Sequence, residues 1–479
     1  MLFRRQRSSD LESAYQALAQ GEYDVALAMM ENAAKRANRQ SQGPSWLQLA
    51  ALYGLYGEDG IENGQPALRR AVTADPNLAS HPLYRALFWE FAAYKGGSVG
   101  DVKRGVKDVP ETGEDVASYH AAAALFAVDA SKTAARRLEA IDVDSLPAYL
   151  RWRRWSLLGQ CWESMGEWLQ AIDAFTQAIE LAPPSEREPE RLSLAGALVE
   201  LGRTEEAVRI LSEVDDDNLR PEELSVHRYL LGRSHLELGN PNLALELLSE
   251  AVPTGRDTAD DGSAEGVDGH GSGSYSVDFA TAQALSALRR YPEALRAYQW
   301  ALAKAPAEHR AYTQHEAAYA MIECDELMRA DEMLNEVVSD PSYPHRADAL
   351  ADLADVRLRS GEFESAQVVA EQALELGATA PACLTLGNIA YEYYRLEEAA
   401  SWFEQAISDS QVGDPYWVSA HQLLADVYAQ LGDEYAARTL MHARSALEHT
   451  EPTSEWHLPL TQYVEEAKRR LGGFDRLLN

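Results

Sequence analysis

Four groups of residues in this 479-residue chain have types that could do chemistry, and each falls short of it. His315-Glu316 opens the H-E-x-x-H spacing, in which two histidines one helical turn apart hold zinc and the glutamate activates water. The fifth position, however, is Tyr319. Asp257, Asp261, Gly262 and Asp268 fall on slots one, five, six and twelve of a calcium loop. Slot three is Ala259, and slot twelve offers Asp where the longer bidentate Glu is needed. Cys161, Cys324 and Cys383 are odd in number and far apart, which argues against a disulfide framework and for a reducing compartment. Paired carboxylates such as Glu205-Glu206 and Glu397-Glu398 sit at hairpin turns and first helical turns, where they favour the helix dipole and stay solvated. No strand is evident to carry a nucleophile elbow. The expectation is a chain that is not an enzyme and carries no cofactor and no metal.

The elements that hold these residues are helices. The composition is 46% hydrophobic, with Ala, Leu, Glu and Arg abundant, the types that lose least on entering a helix. A formal net charge of −33 excludes sequence-independent binding to nucleic acid, which needs a basic surface to displace counterions, and disfavours an anionic membrane. The acidity keeps a long apolar array soluble and is also compatible with a basic partner. Arginine outnumbers lysine 36 to seven. No apolar run is long enough to span a bilayer, and no apolar stretch follows the charged N-terminus, so a cytoplasmic protein without membrane insertion is expected.

An alanine recurs about every 36 residues, twelve times, in one setting of small and bulky neighbours. The clearest copy holds Trp155, Leu158, Gly159, Trp162, Gly166, Ala171, Phe175, Ala178 and Pro183. Further copies carry Leu198, Gly202 and Ala207, then Gly232, His235, Gly239 and Ala244. After an interruption come Ala294 and Tyr298, Ala318 and Ala330, and Ala354, Gly361 and Ala366. Gly387, Ala399 and Phe403, then Ala425, Tyr428 and Ala437, close the series. Toward the N-terminus, Ala14, Gly21, Ala26 and Ala33 fit, as do Trp46, Gly57 and Ala71, whereas residues 82–110 keep only helical length and a closing Pro110. Gly159 and Ala171 are expected to let two helices approach, with the large rings filling the space toward the next hairpin. His235 is expected to be packed and hydrogen-bonded.

This frame resembles the tetratricopeptide repeat family, of the multi-repeat kind found in bacteria, whose pattern runs W-x2-L-G-x2-Y, Ala, F-x2-A, Pro. The resemblance implies an all-α fold, an α-solenoid in which about twelve antiparallel helical hairpins form a right-handed superhelix. Residues 1–252 form the N-terminal repeats, 253–276 an acidic Gly/Ser/Asp-rich flexible loop, 277–450 the C-terminal repeats, and 451–479 a capping helix. That helix would cover the last open face of the stack or serve as a dimerisation surface. The loop would lie within one superhelix or join two arrays.

The resemblance also implies that fixed positions of each first helix face a concave groove. Carried over, these are Arg153, Gln160, Tyr229, Arg233, Phe279, Gln283, His315, Tyr319 and Asn388, with Asp355 and Asp426 following. Some of these would instead pack between neighbouring hairpins. The family's clamp for acidic tails needs a lysine where Leu384 stands, so that subtype is excluded. The expected function is a scaffold or adaptor that holds a partner protein or peptide in the groove. The alternative is a regulator whose superhelix changes curvature on binding a peptide or small signal.

Overall fold

The computed structural model describes residues 9–251 and 274–477. The expected loop, with its calcium-like slots, lies outside the described residues apart from its last three positions. There Tyr275 already opens a helix whose N-cap is Ser274. The chain divides into two compact units, residues 1–272 and 273–479. Every regular element among the described residues is helical.

In the first unit α1 (Ser9–Gln20) pairs with α2 (Tyr23–Arg36), α3 (Gln42–Gly54) with α4 (Ile61–Ala74), and α5 (Pro82–Tyr94) with the short α6 (Val99–Gly105). Next come α7 (Asp115–Phe126) with α8 (Ser131–Glu139) and α9 (Ala148–Glu163) with α10 (Trp168–Leu181). The unit's last pairs are α11 (Pro184–Glu200) with α12 (Thr204–Ser212) and α13 (Pro221–Glu237) with α14 (Pro241–Glu250). The second unit begins with α15 (Tyr275–Ala287) and α16 (Tyr291–Lys304), then α17 (Ala307–Glu323) and α18 (Leu327–Val338). It continues with α19 (Arg346–Arg359) and α20 (Phe363–Glu375), and α21 (Thr379–Glu392) and α22 (Leu396–Ser408). It ends with α23 (Pro415–Leu431) and α24 (Ala436–Leu447), followed by α25 (His457–Leu477). These are twelve hairpins and a final helix, stacked in chain order within each unit.

The close approach inside each hairpin comes from its small residues. A Cβ on Gly159 would stand 2.6 Å from the Phe175 ring, and one on Gly387 would meet Phe403 in the same way. Phe175, Phe403, Ala171 and Ala399 are wholly buried. In the N-terminal hairpin Ala26, Met30 and Ala34 form the buried stripe, so the packed residue is Ala34 rather than Ala33, which is only half-buried. Residues 82–110 also form a hairpin despite their weak pattern. Its second helix is a short stub, and the buried Arg137 from α8 holds the chain beyond it, donating to the carbonyls of Val106, Val109 and Pro110.

Arg137 belongs to a recurrent device. Arg154 donates to Leu138 O at 2.9 Å, Arg187 to Ala182 O at 3.1 Å, and Arg346 to Val338 O at 2.8 Å. Each reaches back to a carbonyl at the end of the preceding hairpin, where the helical hydrogen-bond ladder runs out. A guanidinium keeps its charge and offers several directed donors in this role, and a lysine ammonium does not.

In eleven of the twelve hairpins the turn holds one residue with φ between +55° and +83°, the left-handed conformation, whereas the α23–α24 turn has Gly432 at φ +119°. Gly21, Gly57, Gly96, Gly166, Gly202, Gly239 and Gly361 supply the left-handed residue in seven of the eleven, and Asp129, Arg289, Asp325 and Tyr394 in the other four. A side chain there costs roughly 1–2 kcal/mol.

The last helix is tied down by both polar and apolar contacts. Leu460 and Val464 of α25 pack on Ala425, Ala443 and Ala446. Asp426 accepts hydrogen bonds from Tyr391 and Tyr463, each at 2.5 Å, and from Gln430 at 2.8 Å. The α23–α24 hairpin also holds a pair of buried imidazoles: His421 Nδ1 and His442 Nδ1 are 3.0 Å apart, with the Trp417 ring tilted against His421 at 4.1 Å and Tyr428 stacked on His442. Burial pushes both pKa values down to about 4, with His449 adding to the effect on His421, and His421 and Arg438 to that on His442.

Two outcomes are expected. Nothing lies within 4 Å of a Cβ on Gly166, so Gly166→Ala should lower stability by about 1 kcal/mol through the backbone alone. Arg289→Gly, in the equivalent slot, should raise it by about 0.5–1 kcal/mol in denaturant titrations; equal effects of one sign would contradict the slot assignment. For the histidine pair, the unfolded chain binds protons near pH 6.5 and the folded chain only near pH 4. Its stabilising contribution is complete above pH 6.5 and is lost as the pH falls toward 4. His421→Phe with His442→Leu should flatten the loss of Tm over that window.

Candidate protein-binding surface

The first helices carry the expected inward positions, and the structure divides them by what each side chain already holds. Arg153 of α9 is fully engaged inside the first unit. Its guanidinium donates to the Tyr23 hydroxyl at 3.0 Å, lies 4.5 Å over that ring, and lies 4.3 Å from the Trp152 ring. Beside it Tyr15 of α1 stacks on Tyr149 at 6.0 Å, and a Cβ on Gly21 would strike the Ser185 hydroxyl. The first hairpin is therefore folded against α9 and the start of α11. One apolar core runs from Ala14 to Ala174 beneath it.

The polar groups of this region are mostly paired. Glu90 and His120, both 1% exposed, meet at 2.8 Å, and burial raises the Glu90 pKa against the lowering effect of His120. Glu190 accepts a hydrogen bond from Ser156 at 2.7 Å. Burial pushes its pKa up to about 7, against that hydrogen bond.

Arg233 is also tied internally, paired with Glu200 of α11 and, at 3.3 Å, with Glu237 one turn along. Tyr229 is half-buried against the cluster of α10, α11 and α12. His235 is half-buried, but its Nδ1 is buried without a hydrogen-bond partner, which corrects the expectation of a hydrogen-bonded histidine.

In the second unit Phe279 sits in an aromatic ladder. It stacks on Tyr275 at 5.7 Å and touches Tyr298 and Tyr312. His315 bridges two neighbours, bonding to the Tyr343 hydroxyl and to Asp352, each at 3.0 Å. Tyr319 differs. It is 47% exposed, and it meets Tyr291 edge to ring at 6.4 Å, with a hydrogen bond between the two side chains. Burial of the hydroxyl, with Glu323 next in effect, pushes its pKa up to about 12. Gln160, Gln283 and Asn388 are half-buried and make no side-chain hydrogen bond among the described residues. Asp355 is drawn upward in pKa by its burial, against the opposing charge of Arg359 at 3.9 Å.

Cys161 and Cys383 are buried, their thiol pKa values pushed up to about 12 and about 11 by burial, which makes them unreactive. No cluster of three or more His, Cys, Asp or Glu able to hold a metal occurs among the described residues. No described helix is long and apolar enough to cross a membrane.

Sequence reasoning passed over Tyr23, Asp352 and Tyr416. Tyr23 becomes important only through a contact 130 residues away. Tyr416, 44% exposed, joins Asp348, Asp352 and Asp355 on one face of the second unit, and these carboxylates, after burial, raise its pKa.

No protein-family model matches the chain, and no curated protein matches it. Solved structures are similar to it at low identity. A chain of the APC/C Cut9–Hcn1 hetero-tetramer is 14% identical, with 95% of each chain covered and a TM-score of 0.44. Pseudomonas aeruginosa PilF is 17% identical over 50% of this chain and 98% of its own, with a TM-score of 0.37. A tetratricopeptide repeat protein from Parabacteroides merdae is 14% identical over 54% and 93%, with a TM-score of 0.38. The Trp155–Gly159–Ala171–Phe175 frame that resembles the tetratricopeptide repeat builds the α9–α10 hairpin, with Gly159 of one helix against Phe175 of the other.

The closure of the first hairpin is testable by a double-mutant cycle. Tyr23→Phe keeps the ring and removes the hydroxyl, and Arg153→Ala removes both contacts. The coupling free energy between Tyr23→Ala and Arg153→Ala should be about 1–2 kcal/mol, with Tyr23→Phe retaining roughly half of it. A coupling near zero would mean that the two hairpins are not docked in solution.

Proposed function

We propose that the chain is a non-catalytic scaffold that binds a segment of a partner protein on the first helices of its hairpins, in the second unit above all. One observation carries this reading. Tyr319 is nearly half exposed, while Gln283 on the adjacent first helix and Asn388 on the first helix two hairpins further along have amide groups with no intramolecular hydrogen bond. Exposed phenols offer contact area at little rotamer cost, and spare amides pair with an extended peptide backbone. Asp348, Asp352 and Asp355 nearby, and the net charge of −33, favour a basic partner. Arg153, Arg233 and His315 act in this reading as internal ties that hold the first helices in place.

A second reading, a regulator whose curvature responds to a signal, is favoured by the Arg153–Tyr23 contact, because releasing it would free the first hairpin.

The test takes the partner recovered by co-purification from the native host and measures its affinity for variants of the full chain. Tyr319→Ala with Asn388→Ala should weaken binding by about 1–2 kcal/mol at unchanged helical content. Charge reversal of Glu205 and Glu206, at an outer turn, should alter mainly the salt dependence. The opposite ranking would move the site off the first helices.

A further inference from the structure

The left-handed turn slot of α21 and α22 holds a tyrosine. Tyr394 has φ +59° and is 81% exposed. The other described copies of that slot with φ near this value hold glycine, aspartate or, once, arginine. A bulky side chain in this conformation is strained, and a strained residue whose side chain the fold leaves in solvent points to a use outside the fold. The turn's hydrogen bonds, Tyr394 N to Tyr391 O and Arg395 N to Ala390 O, each at 2.8 Å, hold the backbone there, while the ring itself lies largely in solvent.

The surroundings of Tyr394 have a definite chemistry. Tyr393, 48% exposed, meets the edge of Phe363 from the neighbouring α19–α20 turn at 5.7 Å. Exposed carboxylates flank these rings, with Glu362 on one turn and Glu392 and Glu397 on the other, and none forms an ion pair among the described residues. The fold contains one instance of what such a surface accepts. The Arg395 guanidinium lies 5.3 Å over the Tyr393 ring while pairing with Glu398 at 3.0 Å.

We propose that this rim of the second unit, formed by the α19–α20 and α21–α22 turns, is a separate docking surface for an arginine-bearing segment of another protein. Its arginines lie over the exposed ring of Tyr394, next to the Tyr393 ring that Arg395 already covers, and pair with the carboxylates beside them. The surface is distinct from the first-helix face, since it lies at the turns and uses none of Tyr319, Gln283 or Asn388. Arginine is selected over lysine because its planar guanidinium both stacks on a ring and binds a carboxylate through two donors. The strained backbone keeps the Tyr394 ring projecting from the turn.

The test uses the full chain and a synthetic peptide of alternating glycine and arginine, with its lysine analogue as control, in calorimetric titration. Tyr394→Gly and the double variant Tyr393→Ala with Tyr394→Gly leave the net charge unchanged, so a general attraction between an acidic protein and a basic peptide is preserved. The arginine peptide should bind the wild type at least threefold tighter than the lysine peptide. The double variant should lose at least fivefold for the arginine peptide while its Tm stays level or rises. Tyr319→Ala with Asn388→Ala should leave that affinity within twofold, which separates this surface from the first-helix face. Weaker loss in the double variant, equal binding of the two peptides, or loss only in the Tyr319 variant would overturn the proposal.

Discussion

The contact on which everything else rests is a ring against a missing side chain. Where Phe175 lies over Gly159 and Phe403 over Gly387, the two helices of a hairpin approach at a distance that no larger residue permits. That approach fixes which side of each helix is turned inward, and so which residues can tie one hairpin to the next. Arg154, Arg187 and Arg346 then reach the terminal carbonyls of the preceding hairpin because the seam has set their register. Surface chemistry is a consequence of this geometry: a first helix held on one side by the seam and on the other by its neighbour leaves only a narrow stripe for anything else.

The seam and the turns were legible in the amino-acid order because both depend on local residue type. A ring four residues after an alanine and a residue tolerant of positive φ are one-dimensional signals, and they recur at a fixed interval. Even the weak copy at 82–110 folds as a hairpin. Its second helix is too short to show a stripe, and the residue that secures it, Arg137, lies outside that copy. The Ala33 and Ala34 exchange is of the same kind, a register shift by one that pattern spacing alone does not resolve.

The candidate binding face was less legible. Position along a first helix predicts direction but not engagement. Arg153 and Tyr319 are equivalent by that criterion, yet one is spent on Tyr23 and the other stands open. The difference comes from a hairpin that is distant in sequence and adjacent in space. His315 shows the same limit, since Asp352 and Tyr343 become its partners only once α19 is laid beside α17. Tyr394, by contrast, could have been found by counting: it stands five residues before Ala399, as Gly166 stands before Ala171.

The arginine caps give the stack a direction. Wherever one is present, the end of a hairpin is completed by a residue that follows it in the chain, never by one that precedes it. During synthesis, which proceeds from the N-terminus, such a hairpin leaves the ribosome with its last carbonyls facing water until its successor arrives. Maturation of the stack is therefore paced by residues not yet made, and its growing end is always its least finished part.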